Sequence, residues 1–394
     1  MGEKPFSLLV LIRDYPVGLA ITKKIHNLLS YLITRNTDLY VISYRSSFRQ
    51  PQTNSGDNEI PYIIIGTDLK LRNLLRTFNY YINGFRLISK RKTKNRENIL
   101  YCIGPVNIEN FLFVVWAKLM RYKLVFDINE DYSCFEDKVK ASSRFKIWTI
   151  NKLDALTFRL ASAITVVSTH LRNKYLKRNK RNKKQIVLIP VTAQENYNSE
   201  KKAFNDPLRV LYAGTFDLKD GVNDIIEGFK LFNSTFKNAE LILTGKSEQQ
   251  VKYHKACKGD PNIVFKGHVP DDQFYTLLRD ADVMCMCRTN SGFANAGFPF
   301  KLGEYLATGN PVISTKASDI MDYLTSGDAY LVDFNSPRQI SNALSDIVNN
   351  PEKARETGLN GMKKYRKYFS PEINGELLYN LLKSVASGDK NYGN

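Results

Sequence analysis

Short apolar runs alternate along the chain with longer stretches whose apolar residues recur every three or four positions. Continuous apolar runs of four to six residues suit strands buried on both faces, and the 3.6-residue period suits the helices that cover them. In the first half the runs predict strands at 7–12, 39–43, 62–65, 99–103, 123–127, 163–167 and 186–189. A polar stretch, 192–206, has no apolar period and reads as a linker. The rhythm then restarts, with strands expected at 209–213, 240–244, 263–265, 282–286, 311–314 and 329–332, and helices notably at 222–233, 271–279 and 300–308. Strands alternating with helices predict an α/β chain with parallel sheets. The expected domains are 1–195 and 196–370, facing a cleft, with ligands beyond the carboxyl ends of the strands. Pro371 is placed to start a last helix, 371–394, whose Ile373, Leu377, Leu378, Leu381 and Leu382 keep helical spacing, and which is expected to pack back toward the first domain.

Composition narrows the class. The chain has 394 residues, 43% hydrophobic and 24% charged, which fits two globular cores. Its longest apolar run, 111–117, falls far short of the roughly 18 to 20 residues a membrane span needs. With no long apolar N-terminal segment, a cytoplasmic protein is expected. Five scattered cysteines show no framework spacing, which suits a reducing compartment. Cys285 and Cys287 lie in an apolar run without a histidine at ligand spacing, so core packing is expected there and no metal site.

Charge changes the picture more. Lys and Arg number 57 against 39 Asp and Glu, a net +18. That excess attracts anions: nucleic acid, an acidic membrane or phosphorylated substrates. Nucleic acid rests on charge alone, since no recognition motif with interleaved aromatics appears. The segment 71–85 carries an apolar stripe (Leu71, Leu74, Leu75, Phe78, Tyr81, Ile82, Phe85) flanked by Arg72, Arg76, Arg86 and Lys90. Two readings fit it: a core-facing helix with a solvated basic face, or docking on an anionic membrane leaflet.

Candidate chemistry concentrates in the second half. In "GFPFKLGEYLATGNPVIS", Pro299 suits a first helical turn, Gly309 a helix end, and Lys301 and Glu304 lie one turn apart. A helix N-terminus with an added lysine suits phosphate, and a glutamate one turn deeper suits a ribose diol. In isolation, a surface i,i+3 ion pair explains Lys301 and Glu304 equally well. "VLYAGTFDLKDGV" places Gly214, Lys219 and Gly221 in a strand–loop–helix order, and "LTGKS" repeats it with Gly245 and Lys246. Three such loops in one half-sheet favour a single nucleotide site.

These segments carry a resemblance. "ADVMCMCRTNSGFANAGFPFKLGEYLATGNPVIST", preceded in order by "YAGTFDLKDGV", "LILTGK" and "IVFKGHVP", resembles the nucleotide-sugar-binding half of the retaining glycosyltransferases of family 4, which have the GT-B fold. The likeness covers 208–369 and extends more faintly to "RDYPVGLAITKKIHNLL" and "VFDINEDY". It implies two Rossmann-like domains, a nucleotide-sugar donor (a UDP- or GDP-sugar), no required cofactor or metal, and a glycan or lipid-linked acceptor. It implies transfer of a hexosyl or N-acetylhexosaminyl group with retention, in surface polysaccharide or glycoconjugate synthesis, at the cytoplasmic face of a membrane. By that likeness Glu304 binds ribose, Lys301 and Leu302 meet the diphosphate, Gly297 and Phe298 line the sugar, and Val269 meets the base; His268, in the same loop, is a candidate to line the site. Gly18 faces the donor, and Glu130 fits either an acceptor-side group or a plain strand-end turn residue.

This chain also departs from the family. Ala296 stands where the first glutamate of the Glu-x7-Glu motif is expected, Thr215 where an arginine is usual, and Asp220 where a lysine is usual, with Lys219 one residue earlier. Lys301 and Arg288 are the candidate replacements for the two cations. Front-face attack within such a site needs no protein nucleophile, and none is evident. The alternatives are an inactive glycosyltransferase-like subunit that binds a partner, or a sugar-nucleotide epimerase on the same fold.

Overall fold

The computed structural model describes residues 6–17, 20–46, 53–54, 59–66, 74–135, 141–179, 184–195, 203–217, 219–245, 250–257 and 259–389. The chain forms two compact units, one of residues 1–192 with 371–394 and one of residues 193–370.

The first unit is built on strands β1 (Phe6–Arg13), β2 (Asp38–Arg45), β3 (Thr53–Asn54), β4 (Tyr62–Ile64), β5 (Glu97–Ile103), β6 (Lys123–Ile128), β7 (Ala163–Val166) and β8 (Gln185–Leu188). They form one sheet in the order β3-β4-β2-β1-β5-β6-β7-β8. Only β3 runs antiparallel, against β4. It was not expected, because a two-residue Thr-Asn strand has no apolar pattern to show. The chain adds β2 on one side of β1 and returns to add β5 on the other, so strand order reverses there. Val10, Leu28, Leu29 and Tyr101 lie in the unit's main apolar cluster, which also takes in Leu378, Leu381 and Leu382 of the last helix, Pro371–Ser387.

The stripe of the 71–85 segment resolves toward the core. Leu71 lies outside the described residues. In the helix Leu74–Lys90, Tyr80 and Tyr81 sit 5.3 Å from the Phe113 ring, and Phe85 stacks on Trp116 at 5.0 Å. Those rings pack on the helix Ile108–Leu119, as the core-facing reading of the stripe expects. Phe78 is the exception, well exposed.

The second unit contains β9 (Leu208–Ala213), β10 (Ala239–Thr244), β11 (Ile263–Gly267), β12 (Val283–Met286), β13 (Val312–Thr315) and β14 (Tyr330–Val332). Their order is β11-β10-β9-β12-β13-β14, and every pairing is parallel. Strand order reverses between β9 and β12. In parallel sheets such a switch point opens a crevice at the carboxyl ends of the strands, where ligands bind. Cys285 and Cys287 are fully buried here, and burial pushes the Cys285 thiol up to about 12. Both act as small apolar core residues.

Candidate active site

The carboxyl ends of β9, β10 and β11 carry one glycine each, and the three are hydrogen-bonded in series. The Gly214 N–H donates to the Thr244 carbonyl at 2.9 Å, and the Gly245 N–H donates to the Gly267 carbonyl at 2.7 Å. Thr244 Oγ1 donates to the same Gly267 carbonyl at 2.7 Å. A Cβ on Gly245 would overlap the Gly214 carbonyl, and its φ of +140° is one that side chains rarely adopt. The backbone of the loops is thus packed to contact at the switch point.

Lys301 closes over this floor. A Cβ on Gly214 would collide with Lys301 Cε and Nζ, so the missing side chain is what admits the lysine. Lys301 Nζ donates to Asp220 Oδ1 at 2.8 Å and to the Tyr212 hydroxyl at 3.1 Å. Tyr212 in turn donates to the Thr215 carbonyl, and Thr215 Oγ1 donates to Asp220 Oδ2 at 2.9 Å. The ion pair of Lys301 therefore reaches a residue 81 positions away, which disposes of a simple surface pairing with Glu304. Burial alone would raise the Asp220 carboxyl. The Lys301 ammonium, with Thr215 and the field of Arg288, overrides it and holds the carboxyl below its usual range.

Tyr305 locks the helix Lys301–Ala307 to the sheet. Its buried hydroxyl accepts from the Ala213 N–H at 2.8 Å and donates to the Ala213 carbonyl at 3.2 Å. Lys301 is thereby held over the last residue of β9. The helix has seven residues, and the Leu302 N–H donates to the Pro299 carbonyl at 3.2 Å. Its N-terminus is thus less open to an anion than the segment suggests, and the lysine is the stronger feature. Glu304 is half-buried one turn deeper.

The other expected site residues distribute as follows. Arg288 is only 5% exposed, and its guanidinium donates to the Ala294 carbonyl at 2.6 Å, clamping the short helix Gly292–Ala296. Ala296 is fully buried. The Gly297 carbonyl accepts from Ser318 Oγ. Phe298 is turned inward against Tyr323 and Phe369, at 5.5 and 5.8 Å. Its ring belongs to an aromatic cluster with these two residues. His268 is exposed and Val269 half-buried just after β11. Lys219 lies 4.9 Å over the Phe293 ring. Gly18 and Lys246 lie outside the described residues. Glu130, in the first unit, follows β6 and is half-buried beside Tyr132.

Two polar clusters of the first unit escaped the sequence reading. Lys24 is buried, with Nζ 3.1 Å from Asp127 Oδ1, and Thr165 and Asn129 also donate to that carboxylate at 2.7 Å each. Burial lowers the Lys24 pKa against the opposing pull of Asp127. Asp131 accepts from Ser133, His170 and Lys174, the last at 2.7 Å. Cys134 Sγ lies near His170, so three potential metal ligands cluster, but the Lys174 ammonium already neutralises the carboxylate. His170 is exposed, and its ring joins this network. Nothing in local spacing marks either cluster, since each joins residues from different crossover connections.

Residues 193–364 match the family described as "Glycosyl transferases group 1". The chain is 24% identical over 249 residues to the capsular polysaccharide biosynthesis glycosyltransferase CapM of Staphylococcus aureus, a match covering 58% of this chain and 63% of that protein. It is 22% identical over 367 residues to the uncharacterized glycosyltransferase MJ1178 of Methanocaldococcus jannaschii, covering 91% and 92% of the two chains. Among solved structures, Anabaena Alr3699/HepE in complex with UDP-glucose superposes with a TM-score of 0.71 at 14% identity, over 96% of this chain and 99% of that one. The fold is thus the expected one, with two Rossmann-like units of the GT-B type.

Proposed function

We propose that the protein is a glycosyltransferase that binds a nucleotide-diphosphate sugar at the β9–β12 switch point of its second unit. The observation that carries this reading is Lys301 held over three hydrogen-bonded glycine loops. An ammonium has three donors. Asp220 and Tyr212 take two of them, which holds the ammonium in place and leaves a third N–H to donate to an anion. A cation oriented in advance stabilises the charge that grows on a departing diphosphate without reorganising during reaction. Lys301 then does the work expected of the family's absent arginine and lysine, Asp220 and Tyr212 position it, and Arg288 shapes the wall. Glu304 is assigned the ribose diol.

The donor bound by the Anabaena neighbour makes a UDP-sugar the first to screen, with GDP-sugars next. Transfer with retention, a hexosyl or N-acetylhexosaminyl donor, and a glycan or lipid-linked acceptor in capsule-like polysaccharide synthesis complete the reading, the last supported by the likeness to CapM. Ala296 and Thr215 favour a second reading, an inactive subunit that binds nucleotide or a partner without transfer.

Calorimetric titration of a nucleotide-sugar panel tests the site. Losing one charge-assisted hydrogen bond costs about 1.5–3 kcal/mol, so Lys301→Ala should weaken nucleotide binding by roughly 10- to 100-fold, with Glu304→Ala also weaker. Unchanged affinity in both variants would remove the assignment. Binding without turnover across the acceptor panel would select the inactive-subunit reading.

A further inference from the structure

The first sheet has its own switch point, between β1 and β5, and a pair of arginines stands beside it. Ile12 pairs with Ser43, but the register then shifts, so that Arg13 pairs with Arg45 instead of Tyr44. A bulge of this kind re-aims side chains and is common beside functional sites. Here it brings two guanidinium-bearing residues level on neighbouring parallel strands, a like-charge juxtaposition that disfavours the fold unless something offsets it.

Acids on the same surface offset it only in part. Asp14 Oδ2 lies 3.4 Å from Arg13 Nε, and Glu109 Oε1 lies 2.6 Å from Arg45 Nη1. Yet among the described residues Arg45 Nε is buried without a hydrogen-bond partner, and Arg13 Nε, also buried, has the 3.4 Å ion pair with Asp14 but no hydrogen bond. A surface arginine would have that donor in water.

We propose that Arg13 and Arg45 form an anion subsite at the carboxyl ends of β1 and β2, which holds a phosphoryl or carboxylate group of the acceptor. Planar guanidinium forks match both groups through paired N–H donors, and the register shift supplies two forks at one edge. The side chains keep access, at 37% and 27% exposure. The inference rests on the transferase reading for the word acceptor, and it narrows the substrate class to anionic acceptors. The anion subsite itself rests only on the first unit.

Arginine-specific labelling with phenylglyoxal, mapped residue by residue by mass spectrometry on the full chain, tests it. Inorganic phosphate and acetate are the probes, with chloride at matched ionic strength as control. Labelling of Arg13 and Arg45 should slow by about tenfold when the probe stands at ten times its dissociation constant. Arg279 and Arg366, exposed in the other unit, serve as references. Protection by phosphate alone identifies a phosphoryl subsite, and protection by acetate extends it to carboxylates. Labelling of Arg13 and Arg45 at the chloride rate, or uniform slowing of all four arginines, would overturn the proposal. Because the readout does not involve the second unit, the outcome stands apart from that of the Lys301 titration.

Discussion

At the residue scale, the informative position is Asp220. A carboxylate where a cation is usual looks, from sequence alone, like a lost contact. In the folded chain it is the counter-ion of Lys301, 6% exposed and served by Thr215 as well. Removing one partner of a buried pair typically costs about 3–5 kcal/mol, and asparagine, which keeps the shape, should cost less, about 1–3. The folded-state carboxyl is depressed below its unfolded value, so its stabilisation is fully present above about pH 4 and is lost as pH falls through the folded pKa. Denaturant unfolding of wild type and Asp220→Asn should therefore show a gap at pH 7 that closes toward pH 3. A gap independent of pH would mean the charge of Asp220 contributes nothing. Lys301 and Glu304 were legible because a proline, a lysine and a glutamate fall at helical spacing within one short segment. The partner of Lys301 was not, since 81 residues separate the two and only the β9–β12 adjacency brings them together. The seat of the Phe298 ring was not legible for a related reason: a phenylalanine beside a glycine has no sequence mark for which way its ring turns.

At the scale of elements, strand runs such as Val283–Met286 were readable because both faces are buried, so every position is apolar. The final helix was readable from its stripe, but its seat was not. Tyr31 lies against Gly375, and its hydroxyl donates to Glu376 Oε2 at 2.5 Å, which Arg35 also meets. Two effects oppose each other on substituting that glycine. Alanine in a helix interior gains about 1 kcal/mol in propensity. Its methyl would meet Cβ, Cγ and Cδ1 of Tyr31, the stiff inner part of a side chain, and overpacking of this kind costs about 1–3 kcal/mol. Overpacking should win. Gly375→Ala should unfold at lower denaturant, and Gly375→Leu at lower still. A more stable Gly375→Ala would show that the helix shifts freely on its bed.

For the whole molecule, a net charge of +18 remains the dominant long-range feature, and no helix among the described residues is long and apolar enough to cross a membrane. With Tyr80, Tyr81 and Phe85 packed on Phe113 and Trp116, a further candidate surface for an anionic bilayer is the helix Ala141–Leu160. There Phe145 and Trp148 are 60% and 56% exposed, stacked at 6.0 Å, with Lys152 beside the indole. Phosphatidylserine vesicles should bind the full chain at low ionic strength and release most of it at about 1 M salt, where the Debye length falls to about 3 Å. Phe145→Ala with Trp148→Ala should weaken the low-salt binding. Binding that persists at high salt, or is absent at low salt, would exclude an electrostatic mode.

What the sequence determined by itself is local. Apolar runs, helical periods and turn glycines are written within ten or twenty residues, because each element must satisfy its own backbone and expose one consistent face. Two Rossmann-like halves and the glycine-rich loops after β9, β10 and β11 follow from that level. Tertiary structure alone decided the rest: Asp220 beneath Lys301, Tyr305 bonded to both polar groups of Ala213, Arg13 beside Arg45, and Lys24 buried on Asp127. Each of these joins residues from separate strand–helix crossovers. Parallel strand order sets which of those ends become neighbours, and no spacing along the chain records it.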